Sequence, residues 1–247
     1  MLRELSVAFS SSAPRSGFAE AVEIEVHLAN GAYEAAEKTA RNLHDMLRKQ
    51  FGEEDEATLA AASSVGVVLG KRGQHAEAET IHREILRALN RAGIESEVTV
   101  TSMGGLANAL AERKKHSEAR RIRNDAIEMS TRIFGAEHVT TLTLRCSRAW
   151  QLSLRGDHTD AVDETRAVLA AYKRVLGEEH RTTMTTKSQL AMCLFSYRKF
   201  GEAIELEREV LAAFQRVDPT CADAGLCAQR VDMMLEHAHK SRRAPRR

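Results

Sequence analysis

The amino-acid sequence predicts an all-α fold built as a solenoid of stacked antiparallel helix pairs. Three observations carry that prediction. The 247 residues are rich in Ala, Leu, Glu and Arg, with 4% aromatic residues and only 3 prolines, a composition that favours helix. The segments GEEDEATL from Gly52, GIESEVTV from Gly93, GAEHVTTL from Gly135 and GEEHRTTM from Gly177 align without gaps, stepping by 41, 42 and 42 residues. A second landmark keeps the same register: GAYEAA from Gly31, GQHAEA from Gly73, KKHSEA from Lys114, GDHTDA from Gly156 and RKFGEA from Arg198. Two landmarks holding one period over five units mark an internal repeat.

The elements follow in chain order. Phe9-Ser10 matches Phe51-Gly52, so residues 1–10 read as the end of a second helix, a half unit. Full units are expected at about 11–51, 52–92, 93–134, 135–176 and 177–218. Within a unit the first helix starts just after Asp55 or Ser96, good N-cap residues, with His138 and His180 in the same place later. It runs to about Lys71, Glu112, Arg155 and Tyr197. A short turn leads to the second helix, whose apolar residues, such as Ala78, Ile81, Ile85 and Leu89, recur at helical spacing. That helix closes near a glycine such as Gly93, which accepts the left-handed cap conformation. Pro14 and Pro219 fall at unit junctions, where proline can open a helix. After Pro219 the register is lost, yet VDMMLEHAHK still reads as helix. A capping helix is expected at about 221–239, closing a single array over 1–239, with residues 240–247 a disordered basic tail.

One helix pair cannot bury its apolar stripe alone, and stacked pairs make a continuous core. Small residues at one first-helix position (Gly66, Ala107, Ala149, Ala191) and at one second-helix position (Ala36, Ala78, Ala119, Ala161, Ala203) let helices approach closely.

This pattern resembles the tetratricopeptide repeat, in the 42-residue form found in kinesin light chains. That family's motif reads roughly G-x-x-H-P-x-T, N-L-A-x-x-L and G-x-Y-x-E-A. Here it appears as GAEHVTT with RAWQL and GDHTDA, and as GEEHRTT with LAMCL and RKFGEA. The resemblance covers about residues 16–217. It implies a right-handed α-solenoid, a TPR-like superhelix whose concave face, lined by first helices, binds proteins or peptides. The family's asparagine before Leu-Ala is replaced here by Ser64, Gly105, Ser147 and Gln189, and Arg148 stands where leucine is usual. Only the general interaction role is therefore carried over.

By the family register, Lys71, Asn108, Glu112, Cys146, Trp150, Thr185, Met192 and Phe195 face the groove. Trp150, the only tryptophan, reads either as a filler between neighbouring first helices or as a binding anchor. Met192 and Phe195 add apolar surface, and Lys71 and Glu112 can read charge at the edge.

Catalytic, metal and cofactor chemistry find no pattern. His75, His116 and His158 occupy the repeat's aromatic place beside Tyr33 and Phe200, too far apart to share an ion. His237 and His239, two apart, point to different faces of a helix and read as a solvated helix end. Cys146, Cys193, Cys221 and Cys227 lack zinc-ligand spacing and read as free thiols of a reducing compartment. GKRG at Gly70 is not a phosphate loop. Five of the 36 basic residues crowd the last eight positions, so the body is slightly acidic, which argues against nucleic-acid binding. No apolar run spans a bilayer, and the charged N-terminus is not a secretory signal; a mitochondrial presequence is the weaker alternative to a cytoplasmic location. The expectation is a non-enzymatic protein- or peptide-binding scaffold without cofactor or metal. The alternative is a ligand-sensing regulatory domain of a larger nucleotide-dependent signalling protein.

Overall fold

The computed structural model describes residues 16–217 and 222–243, and among these it holds eleven α-helices and no strand. In order they are α1 (Ser16–Ala29), α2 (Tyr33–Phe51), α3 (Glu56–Lys71), α4 (His75–Ala92), α5 (Glu97–Glu112) and α6 (His116–Phe134). Then come α7 (Val139–Arg155), α8 (His158–Leu176), α9 (Arg181–Ser196), α10 (Phe200–Val217) and α11 (Ala222–Arg243). The half-unit helix expected in residues 1–10, both junction prolines and residues 244–247 of the tail lie outside the described residues. The last helix continues to Arg243, past the end near His239 that the sequence indicated.

The chain divides into two compact units, Met1–Ile133 and Phe134–Arg247. In the first unit α2 packs on α1 and on α3, α4 on α3 and on α5, and α3 also on α5. In the second, α8 packs on α7 and on α9, α10 on α9 and on α11, and α7 on α9. Each unit is thus a run of neighbours, the expected solenoid arrangement.

Amphipathicity explains the second helices. In α2, Ala36, Ala40, Leu43 and Leu47 recur at spacings of four, three and four and are all buried. The alanine landmark is buried in every unit (Ala36, Ala78, Ala119, Ala161, Ala203), which sets the close approach of the pair.

The first helices begin on caps. Asp55 accepts from the Ala57 N–H at 2.9 Å. His138 and His180 do the same job through Nδ1, accepting from Thr140 N–H at 3.3 Å and Thr182 N–H at 3.2 Å. The repeated threonine is buried at all four places. In two of them its hydroxyl donates back to the junction, Thr99 to the Ile94 carbonyl and Thr141 to the Gly135 carbonyl, each at 2.9 Å.

The turn inside each pair requires left-handed backbone. Glycine supplies it at Gly31, Gly73 and Gly156, with φ between 71° and 92°. At the same repeat position Lys114 (φ 62°) and Arg198 (φ 63°) adopt it with a side chain attached.

Ion pairs repeat with the period. Arg91 donates to Glu54 and Arg132 to Glu95, each at 2.7 Å, and Arg174 to Glu137. A second series joins Arg41 to Glu77, Arg83 to Glu118 and Arg166 to Glu202, at 2.6–2.9 Å. Exposed pairs of this kind contribute about 0–1 kcal/mol each, so they fix register more than stability. Glu79 is different: it is buried on α4 and takes hydrogen bonds from Arg83, Arg113 and Lys115, clamping α4 to the turn after α5.

Candidate binding site in the second unit

The groove expectation can be followed residue by residue. Trp150 sits half-buried near the end of α7, one turn after Cys146. Thr185, Ser188, Gln189 and Met192 fall on one stripe of α9, which packs on α7. Together these side chains line one wall of a pocket of about 290 Å³. Phe214 of α10 and Leu226, Cys227 and Arg230 of α11 complete it. So three predicted site residues, Trp150, Thr185 and Met192, converge on one concavity.

Cys146 stands beside the pocket rather than in its wall. Its backbone carbonyl accepts a hydrogen bond from Gln189 Nε2 at 2.8 Å, tying α7 to α9. Gln189 holds the place where the related motif has asparagine, and its amide here spans two first helices. The Cys146 thiol is 3.7 Å from Thr186 Oγ1 and is pushed up to about 11 by burial. Burial also raises Cys193, and Cys227 reaches about 12. These three thiols are free and protonated at neutral pH, hence poor nucleophiles.

Phe195 is half-buried, like Trp150 and Met192, but does not line that pocket. Its ring packs 5.2 Å from Phe200 of α10 and 5.2 Å from His237 of α11, and those two rings lie 5.3 Å apart. The three rings hold α11 against the pair below. His237 joins this packing through its ring while remaining exposed near the end of α11, as expected for a solvated helix end.

The remaining predicted residues belong to the first unit. Lys71, the last residue of α3, and Glu112, the last of α5, are exposed. Asn108 is exposed on α5, and its Oδ1 accepts from the buried Arg123 of α6 at 2.9 Å. Burial lowers the Arg123 guanidinium to about 10, which leaves it charged at neutral pH. Arg148, at the place of a usual leucine, donates with Arg145 to Glu164 of α8 at 2.6–2.9 Å, so an ion cluster replaces an apolar contact.

A polar seat lies behind the pocket and was not visible from the repeat. Glu207 of α10 is fully buried, and Ser188 donates to it at 2.8 Å. Arg230 of α11 donates to Ser188 at 2.7 Å and lies 3.7 Å from Glu207. Burial raises the Glu207 carboxyl, opposed by hydrogen bonds from Ser188 and the charge of Arg230. Asp223 is occupied by Arg181 at 2.6 Å. The pocket therefore offers apolar walls, a guanidinium and an amide: recognition chemistry rather than bond-making chemistry.

Among the described residues no group of His, Cys, Asp and Glu is placed to hold a metal ion, and no helix is long and apolar enough to cross a membrane.

With this geometry in hand, the comparisons with known proteins are consistent. A tetratricopeptide repeat model matches residues 98–164 and 151–216, and another of the same description matches 58–92; together they span well over half of the chain. No curated protein sequence matches. Among solved structures, BtubC (BKLC) from P. vanneervenii is similar with a TM-score of 0.60 and 15% identity, covering 90% of this chain and 95% of that one. A protein of Podosopora anserina with nearly identical, kinesin light chain-like TPR repeats gives 0.56 and 19%, covering 81% and 95%. A Rap protein, solved in complex with competence and sporulation factor, gives 0.55 and 12%, covering 96% of this chain and 66% of that one. At these identities the structural likeness speaks to the fold alone.

Proposed function

The chain belongs to the tetratricopeptide repeat proteins, and from that premise we propose that it is a non-enzymatic scaffold that binds a protein or peptide on its first-helix surface. The fold is one that commonly serves as a protein-interaction scaffold. The observation that carries the finer reading is the convergence of Trp150, Thr185 and Met192, with Leu226 and Arg230 of α11, on one pocket of about 290 Å³. A partner inserts an apolar side chain between Trp150 and Met192, and its backbone or a carboxylate meets Gln189 and Arg230. Tryptophan and arginine in a partly enclosed pocket are the residue types that dominate interface energetics. Lys71, Asn108 and Glu112 are assigned the same role on the first-helix side of the first unit. The protonated thiols support a binding rather than catalytic role.

The Rap protein bound to competence and sporulation factor favours a second reading, in which the bound partner is a regulatory molecule and this chain a sensing module. Both readings use the same pocket. Trp150→Ala should weaken binding of a peptide selected by display on the full chain at least about tenfold, with helicity by circular dichroism unchanged. Unaltered affinity in the folded variant would move the binding surface elsewhere.

A further inference from the structure

The first unit carries an opening that the repeat register did not mark. It lies over α5 between α4 and α6, with a volume of about 780 Å³, inside the range of about 300–1,000 Å³ typical of binding clefts. Its floor is apolar: Leu86 from α4, Met103 and Leu106 from α5, Ile122 and Met129 from α6. The lining positions give its direction. Glu118, Arg121, Ile122 and Met129 form one stripe of α6 at helical spacing, about 16 Å long at 1.5 Å per residue. Arg83, Leu86, Arg87 and Asn90 form the matching stripe of α4. A groove between two helical walls, with two adaptable methionines in its floor, fits a helix laid along it.

The rim charges set the partner's sign. Glu118 is already held by Arg83 at 2.7 Å, and Glu95 by Arg132 at 2.7 Å. Arg121 reaches Asp125 only at 3.6 Å, and Arg87 has no ion pair among the described residues. Both arginines are exposed, one on each wall. The acidic side chains of the rim are thus neutralised, while Arg87 is unpaired among the described residues and Arg121 is held only loosely by Asp125, so both guanidiniums can be met from outside. We propose that this groove is a second docking surface, which takes an acidic amphipathic helix of a partner protein. Its apolar stripe rests on Leu86, Met103, Ile122 and Met129, and its carboxylates meet Arg87 and Arg121.

The test uses the full chain and a fluorescein-labelled helical peptide of about 16 residues, long enough to hold a helix, with Leu at i, i+3, i+4 and i+7 and Glu on either side. A counterpart carries Lys in place of each Glu. Anisotropy should show binding of the acidic peptide that weakens with added salt, and little binding of the basic one. The double variant R87E/R121E should lose the acidic peptide at least about tenfold and gain the basic one. Met129→Lys, which puts a charge in the floor, should lose the acidic peptide. Trp150→Ala should leave acidic-peptide binding unchanged, which separates this surface from the pocket of the second unit. No binding of the acidic peptide, equal binding of both peptides, or an R87E/R121E protein that binds like the parent would overturn the proposal.

Discussion

His82 shows most clearly what a single residue decides here. It lies on α4, 1% exposed, wedged between Gly66 of α3 and Gly105 of α5. A Cβ added at either glycine would sit 2.7 Å or 2.3 Å from its Nε2, so both positions are held small by one imidazole. Gly105, a departure from the related motif, is thereby explained. Burial holds the ring neutral, pushing it from 6.5 down to about 4. The unfolded imidazole takes its proton near pH 6.5, and the buried one only near 4. As pH falls through that window the unfolded state binds the proton first, so stability present above it is lost progressively. The loss amounts to roughly 3 kcal/mol by pH 4. Denaturant titrations at stepped pH should show that slope in the parent and its absence in His82→Gln. An identical slope in both would place the titrating group elsewhere. The sequence read Gly66 as a small core position, which the structure supports. It had no means to pair Gly66 and Gly105 with a histidine on a third helix, because that contact depends on how the helices stack.

At the scale of elements, the repeat was legible because it is enforced by backbone chemistry. The caps at Asp55, His138 and His180, the junction glycines and the buried alanines each recur where a helix must start, stop or meet its partner. Lys114 and Arg198 break the glycine rule at the pair turn, and they pay about 1–2 kcal/mol for it in left-handed conformation. Part of that is offset because glycine loosens the unfolded chain by about 0.4–1 kcal/mol. Lys114→Gly and Arg198→Gly should each therefore stabilise by about 0.5–1 kcal/mol in denaturant midpoint measurements. Gly73→Ala, at φ 80°, should destabilise by about 1 kcal/mol. A destabilising Lys114→Gly would mean that the side chain, not the backbone, governs the turn. What the repeat did not disclose is α11, since its register is its own. Leu226, Cys227 and Arg230 enter the pocket, and His237 the ring cluster, from a helix whose sequence said only that it was helical. The packing of Phe195 on His237 stayed hidden for the same reason: its partner ring comes from α11.

For the molecule as a whole, an array of related helix pairs acquires individuality where the pairs differ. The first unit departs through His82, its paired glycines and an apolar groove with basic rims; the second departs through Trp150, the Arg148–Glu164 cluster and the polar seat under α11. The central claim is that a partner's apolar side chain enters beside Trp150. Because Trp150 is the only tryptophan in the chain, its emission reports on that pocket alone. The decisive measurement is a titration of the full chain with a tryptophan-free, display-selected peptide, following Trp150 emission and acrylamide quenching beside the anisotropy of the labelled peptide. The account predicts that emission shifts to the blue and quenching falls along the same saturation curve as the anisotropy. Saturable binding with Trp150 emission and quenching unchanged would contradict it.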